Sequence, residues 1–198
     1  MAEERAGIIA DEKAREAAGE GAAAAAQKRA FALADQLYFL KVRPRESSGS
    51  LSGTLSILDP GPPSVKTTSP VSFVRGRAFY FFKDSLLVVA QESSASGPAY
   101  LFLLDPLTLQ PAKRSVEEVY ADSFVLLQAG SIFAVLKSGG DHRLGRFDEN
   151  LKLTALSPMG VDRDSSLALF ADRVYVSSSA RDILALDARD LTQKGTVK

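Results

Sequence analysis

Phe79-Tyr-Phe-Phe-Lys-Asp84-Ser-Leu-Leu-Val-Val89, and further on Leu101-Phe-Leu-Leu-Asp105-Pro, decide the fold. The first stretch is two short apolar runs rich in aromatic and β-branched residues, parted by two turn residues, which is the pattern of a tight β-hairpin. The second ends an apolar run on Asp, and the chain resumes a few residues later. Both elements recur. The hairpin returns as Phe31–Leu40, Phe124–Val135 and Leu167–Val176, and the Asp-terminated run as Leu55–Asp59, Leu144–Asp148 and Ile183–Asp187. Turn positions 35, 84, 130 and 172 are spaced by 49, 46 and 42, and they alternate strictly with Asp59, Asp105, Asp148 and Asp187, spaced by 46, 43 and 39. Each unit thus holds two hairpins in roughly 40–50 residues, the size of a propeller blade.

The fold class read from this is all-β: a β-propeller of about four four-stranded antiparallel blades, near residues 30–69, 70–116, 117–160 and 161–198. A closed ring of four is favoured over an excerpt of a larger ring, because an open stack leaves two apolar blade faces bare. Strands near 31–34, 79–82, 124–128 and 167–170 should lie innermost, with Phe81, Phe82, Phe124, Leu126, Leu169 and Phe170 facing neighbouring blades. The hairpin turns carry Asp or Gly, residues that tolerate φ > 0. The Asp that ends each second run reads as a turn former whose carboxylate caps backbone N–H groups rather than as a catalytic group.

Upstream the texture differs. Residues 1–35 hold 14 Ala, and the first Pro is Pro44. Strong helix formers with alternating charge predict a helical stalk or appendage over residues 1–29, weakened by Gly19 and Gly21. Ile8 and Ile9 are its only large apolar residues, and self-association through this helix is one expectation for it.

Composition narrows the function. The chain carries 24 Lys plus Arg against 24 Asp plus Glu, one His and no Cys or Trp. A balanced charge argues against nucleic acid as a general partner. Without Cys there is no disulfide, thiolate nucleophile or cysteine-based metal site, and one His leaves little room for imidazole chemistry. No apolar stretch is long enough to span a bilayer, and no leader reads as a signal peptide. Ser-x-x-Lys and P-loop patterns are absent, and Gly49-Ser-Leu-Ser-Gly53 has Leu where a nucleophile elbow needs Ser. Asp162-Arg-Asp164-Ser-Ser starts like a calcium loop but lacks its Gly and closing Glu, so it reads as a solvated turn. No catalytic residue, metal ligand or cofactor is assigned.

Two resemblances arise from these residues. Val174-Tyr-Val-Ser-Ser-Ser-Ala-Arg-Asp-Ile-Leu-Ala-Leu-Asp187 resembles the quinoprotein type of blade. That class carries a Trp near the blade end, where this chain has Gly195-Thr-Val197, so a quinone-dependent dehydrogenase is not expected. An Ala/Glu/Lys/Arg helix running into Leu37-Tyr-Phe-Leu-Lys-Val, then Arg77-Ala-Phe-Tyr-Phe-Phe-Lys-Asp-Ser-Leu-Leu-Val-Val, resembles the C-terminal region of the spirochaetal 83/100-kDa antigen family. This second resemblance spans essentially the whole chain. It implies a cell-envelope or periplasmic antigen with no catalytic residues to carry over.

The four middle connections differ in length but are all polar and Ser/Gly-rich, and in a propeller they emerge on one face. Arg43, Arg45, His142, Arg143 and Arg181 come from three of them and are the candidate ligand-binding residues, Arg being suited to carboxylate or phosphate. The expected function is a non-enzymatic interaction module, a propeller on a helical stalk that binds a protein or cell-envelope component through this face. The alternative is an acid-residue glycoside hydrolase with its site at the propeller axis.

Overall fold

The computed structural model describes residues 36–43, 52–76, 78–92, 94 and 96–197. The helix expected over residues 1–29, the strand at 31–34 and Arg45 lie outside these residues. The chain divides into two compact units, Met1–Leu37 and Tyr38–Lys198, and the sheets and their cores belong to the second.

Strands form where apolar residues alternate or run between turn residues, in four successive sets. The first set is β1 (Leu37–Val42), β2 (Gly53–Asp59) and β3 (Ser64–Thr68), followed by a short β4 (Phe73–Val74). The second is β5 (Tyr80–Phe82), β6 (Ser85–Gln91), β7 (Ala99–Leu104) and β8 (Pro111–Arg114). The third is β9 (Leu126–Gln128), β10 (Ser131–Ser138), β11 (Asp141–Phe147) and β12 (Leu153–Gly160). The fourth is β13 (Ala168–Phe170), β14 (Arg173–Ser177), β15 (Ile183–Asp187) and β16 (Gln193–Val197). The described residues are all-β, and every pairing recorded between strands is antiparallel. The third and fourth sets are separate four-stranded sheets, whereas β4 joins the first two into one eight-stranded sheet.

The hairpins fall at the expected turns: Phe82 pairs with Ser85, Gln128 with Ser131 and Phe170 with Arg173. The left-handed backbone, however, falls one residue earlier than the Asp/Gly reading placed it. Lys83, Ala129 and Ala171 have φ of 51°, 45° and 53°, and of the described Asp/Gly turn positions only Gly130 is left-handed, at 79°. The reading of Asp59, Asp105, Asp148 and Asp187 agrees with the structure. Asp59 Oδ1 accepts from Gly61 N at 3.0 Å, and Asp105 Oδ1 from Leu107 N and Thr108 N at 2.9 Å. Asp148 Oδ1 accepts from Asn150 N at 2.8 Å and Lys152 N at 3.0 Å, and Asp187 Oδ1 from Arg189 N at 2.8 Å.

The segment leaving each set's last strand crosses to the next set by a shared device. Val74 pairs with Gly53 in the set it leaves and with Ala90 in the set it enters. Val119 bridges Ala99 and Leu136 in the same way. Val161 donates its N–H to His142 O at 2.9 Å and bridges Ser178. All three valines are buried. The next residue then donates into the new set: Arg75 N to Val89 O, Tyr120 N to Val135 O and Asp162 N to Ser177 O, each at 2.8 Å.

The core lies in three seams between successive sets. Leu55 and Ile57 meet Leu86, Val88, Phe102 and Leu104. Leu87, Val89, Leu101 and Leu103 meet Ile132, Ala134, Leu136 and Phe147. Phe133, Val135 and Leu144 meet Val174, Val176, Leu184 and Leu186. Strands β5, β9 and β13 sit at sheet edges, as their first position in each set requires. The expectation for their side chains holds for Phe82, Leu126 and Leu169, which join the seams, but Phe81, Phe124 and Phe170 are exposed. Side chains alternate along a strand, so Phe81 turns away from Phe82 and rests only edge-on against Tyr38 and Phe79. Phe170 belongs to the last set, whose far face no described residue covers.

Backbone N–H groups hold the Asp148 carboxyl below the usual carboxylate range, chiefly the one from Lys152. A group whose pKa is depressed on folding stabilises the fold above its unfolded pKa, and that contribution is lost as pH falls through the folded value. Asp148→Ala is therefore expected to lower the melting temperature at pH 7, with the gap to wild type closing as pH is taken below the carboxylate range in a thermal-melt series.

Candidate functional site

The seam-crossing segments emerge at the strand ends where β6 meets β7, β10 meets β11 and β14 meets β15, because the bridging valines pair there. This is the face on which sequence reasoning placed the site. The residues just after the bridging valines build it.

Arg75, Gly76, Ala78, Tyr80 and Val89 of the second set, Asp122–Val125 of the third and Asp164–Ser166 of the fourth line one cavity of about 320 Å³. Tyr80 lies on β5, Asp122–Val125 run up to β9 and Asp164–Ser166 precede β13, so the cavity collects the starts of three sets. Two serines fix its walls. Ser123 Oγ accepts from Val135 N and donates to Phe124 O, both at 2.8 Å. Ser165 Oγ accepts from Ser177 N at 2.8 Å and donates to Ser166 O at 2.7 Å. Tyr80 stands on the same wall, where burial pushes its hydroxyl pKa up.

Arg75 is the unusual member. Its side chain is 3% exposed, and its Nη2 donates to both Asp122 oxygens at 3.2 Å. Its Nε and Nη1 are buried with no hydrogen-bond partner among the described residues. A buried guanidinium with two idle donors costs free energy that a ligand oxygen would recover.

A second cavity of about 270 Å³ opens beside it, lined among others by Glu118, Tyr120, Lys137, His142 and Arg163. Tyr120 links the two. Its hydroxyl donates to Asp164 Oδ1 at 3.0 Å, its ring meets His142 edge-on at 5.3 Å, and Arg163 stacks over it at 5.7 Å. Burial raises the Tyr120 pKa, and the bond to Asp164 raises it further. Asp162 Oδ1 accepts from Asp164 N at 2.9 Å, a local Asx turn. Among the described residues, no group of three His, Cys, Asp or Glu could hold a metal.

The predicted residues scatter over this face. Arg43 follows the first strand and stacks on Phe73, its guanidinium carbon 4.8 Å from the ring centre. His142 and Arg143 lie on strand β11 rather than in a loop, opposite Lys137 and Leu136, because the connection has shrunk to the turn Gly139-Gly140. Arg143 Nε is buried without a partner among the described residues. Arg181 is exposed in a left-handed turn, with φ of 70°. Of these four, only His142 lines either cavity. Sequence reasoning missed Arg75, Tyr120, Asp122, Arg163 and Asp164. The signal was Val74, Val119 and Val161, spaced by 45 and 42 in step with the repeat.

No family model and no curated protein matches the chain. Solved structures do. The europium-containing methanol dehydrogenase, a quinoprotein-like β-propeller fold, superposes with a TM-score of 0.56 at 10% identity, over 83% of this chain and 40% of that one. The computationally designed Ika8 protein superposes with a TM-score of 0.53 at 12% identity, over 78% of this chain and 47% of that one. BamB from Moraxella catarrhalis matches with a TM-score of 0.42 at 13% identity, over 80% of this chain and 61% of that one. The chain thus spans less than two thirds of the length of each of these structures. The likeness gives the fold, a β-propeller type of stacked antiparallel sheets.

The pairing of Tyr120 with Asp164 is open to a double-mutant cycle. Tyr120→Phe and Asp164→Ala should couple by roughly 0.5–1.5 kcal/mol in urea unfolding, the worth of one such bond, whereas Tyr120→Phe combined with Asp59→Ala should be additive.

Proposed function

We propose that this chain is a non-enzymatic interaction module that grips an acidic group of its partner in the cavity at Arg75. The observation that carries the reading is the guanidinium of Arg75, buried and only half engaged. An incoming carboxylate would accept a charge-assisted hydrogen bond from Nη1 or from Nε, whose N–H groups point to different edges of the guanidinium. Asp122 would hold the guanidinium from the other side, while Ser123 and Ser165 keep the walls rigid. Arg43, Arg143 and Arg181 would border the same face beside His142 and draw acidic partners by the charge of their guanidinium groups, an attraction that salt screens. The resemblance to the spirochaetal 83/100-kDa antigen family supports a cell-envelope or periplasmic setting, with a protein or envelope component as partner. No described helix is long and apolar enough to cross a membrane.

A second reading, hydrolysis of sugars by paired acids, has Asp122 and Asp164 on the same cavity in its favour. Both carboxylates already accept hydrogen bonds, from Arg75 and Tyr120, and in our reading they hold those side chains rather than react.

Titration calorimetry with a hexaglutamate peptide and its hexaglutamine counterpart tests the main reading. Hexaglutamate should bind, more weakly as salt is added, and hexaglutamine should not. Arg75→Met should weaken binding by about tenfold or more while leaving stability unchanged or raised, since an apolar replacement relieves a costly buried charge. Unaltered binding by Arg75→Met, or its failure to fold, would show that Arg75 serves the structure instead.

A further inference from the structure

Among the described residues three seams join four sets of strands, and the two terminal faces carry none. On the last set, exposed apolar residues stand at positions that other sets bury. Phe170 pairs with the residue after its two-residue turn as Phe82 does, yet Phe170 is 76% exposed and Phe82 is 6%, while the third set has the polar, exposed Gln128 there. Ile183 pairs with Ser177 as Leu144 pairs with Val135 and Leu101 with Val89. It is 44% exposed, against 0% for both counterparts. Val197, opposite Ile183, is exposed beside it. On the first set, Tyr38 and Leu40 turn into the seam, and Phe39 between them points the other way at 51% exposure. The matching faces of the later sets, Leu86 and Val88, Ile132 and Ala134, Val174 and Val176, are all buried.

We propose that two copies of this chain complete one propeller ring, the bare face of the last set in each copy packing on the bare face of the first set in the other. The two faces are the unlike halves of a seam that the chain builds three times. A heterologous contact of this kind closes when the rotation from copy to copy completes a circle, and two copies close it with a two-fold axis. Two copies are the fewest that close such a ring. The chain covers 47% of the Ika8 protein and 40% of the methanol dehydrogenase. Exposed aromatic and β-branched residues at these sites meet what a seam needs, because each buried large apolar side chain gains the same burial energy as in the three existing seams. This assembly is independent of the ligand at Arg75, whose cavity lies among the second, third and fourth sets.

The chain has no Cys, so single thiols report contacts cleanly. Light scattering of the full chain should give about twice 21.2 kDa. Phe170→Asp combined with Ile183→Asp should return it to a single copy with an unchanged far-ultraviolet dichroism spectrum, both positions being exposed within one chain. A short bis-maleimide should link a mixture of Phe39→Cys and Ile183→Cys chains into a covalent pair, and neither chain alone. A monomeric chain would overturn the proposal. So would a cross-link inside one chain carrying both cysteines, which means a ring closed on itself, or a dimer that survives the two Asp substitutions, which means association elsewhere.

Discussion

A chain that leaves one sheet and starts the next has to hand its peptide groups from one to the other without burying an orphan. Val74, Val119 and Val161 meet this demand. Each is buried, and around each the backbone bonds to both the sheet it leaves and the sheet it enters. An unpaired peptide group at such depth would cost about as much as a lost hydrogen bond, so the crossing path is narrowly fixed. The site depends on that path, since Arg75, Tyr120 and Asp162 come directly after the bridging valines, and the next few residues line the cavities.

The opposite end of each seam is pinned differently. Leu109, Leu151 and Leu191 come after the Asp-capped turns, and each is fully or almost fully buried with a left-handed backbone, φ being 57°, 61° and 60°. Their N–H groups return to Asp105 O, Asp148 O and Asp187 O. A left-handed non-glycine residue costs roughly 1–2 kcal/mol, while burying a Leu side chain gains about 1.5–3 kcal/mol. Burial wins, and so a strained turn recurs in three seams. Backbone bonds lock one end, a plugged Leu the other, and the alternating strand residues fill the middle.

The repeat was legible because hairpin periodicity is local: Phe79–Val89 spells its own turn, and the register Phe82–Ser85 comes with it. The Asp caps were legible for the same reason. What stayed hidden depends on partners distant in sequence. Nothing near Arg75 says that Asp122 will meet one edge of its guanidinium and leave the other idle. The crossing valines sit in stretches such as Ser115-Val-Glu-Glu-Val119 that read as loops, and only their spacing marks them. Choosing the most variable connections pointed to the face that carries the two cavities but to residues such as Arg181, which line neither. The positive φ at Ala129 and Ala171 was invisible too, because Ala carries no left-handed preference in its chemistry.

Fold and site therefore rest on the same crossings, and hydrogen exchange of the native protein measures them one amide at a time. The amides of Arg75, Val119, Tyr120, Val161 and Asp162 should exchange only through global unfolding, as slowly as Val88 or Val135 in the central strands. Exchange at loop rates, through local opening while the central strands stay protected, would contradict the account.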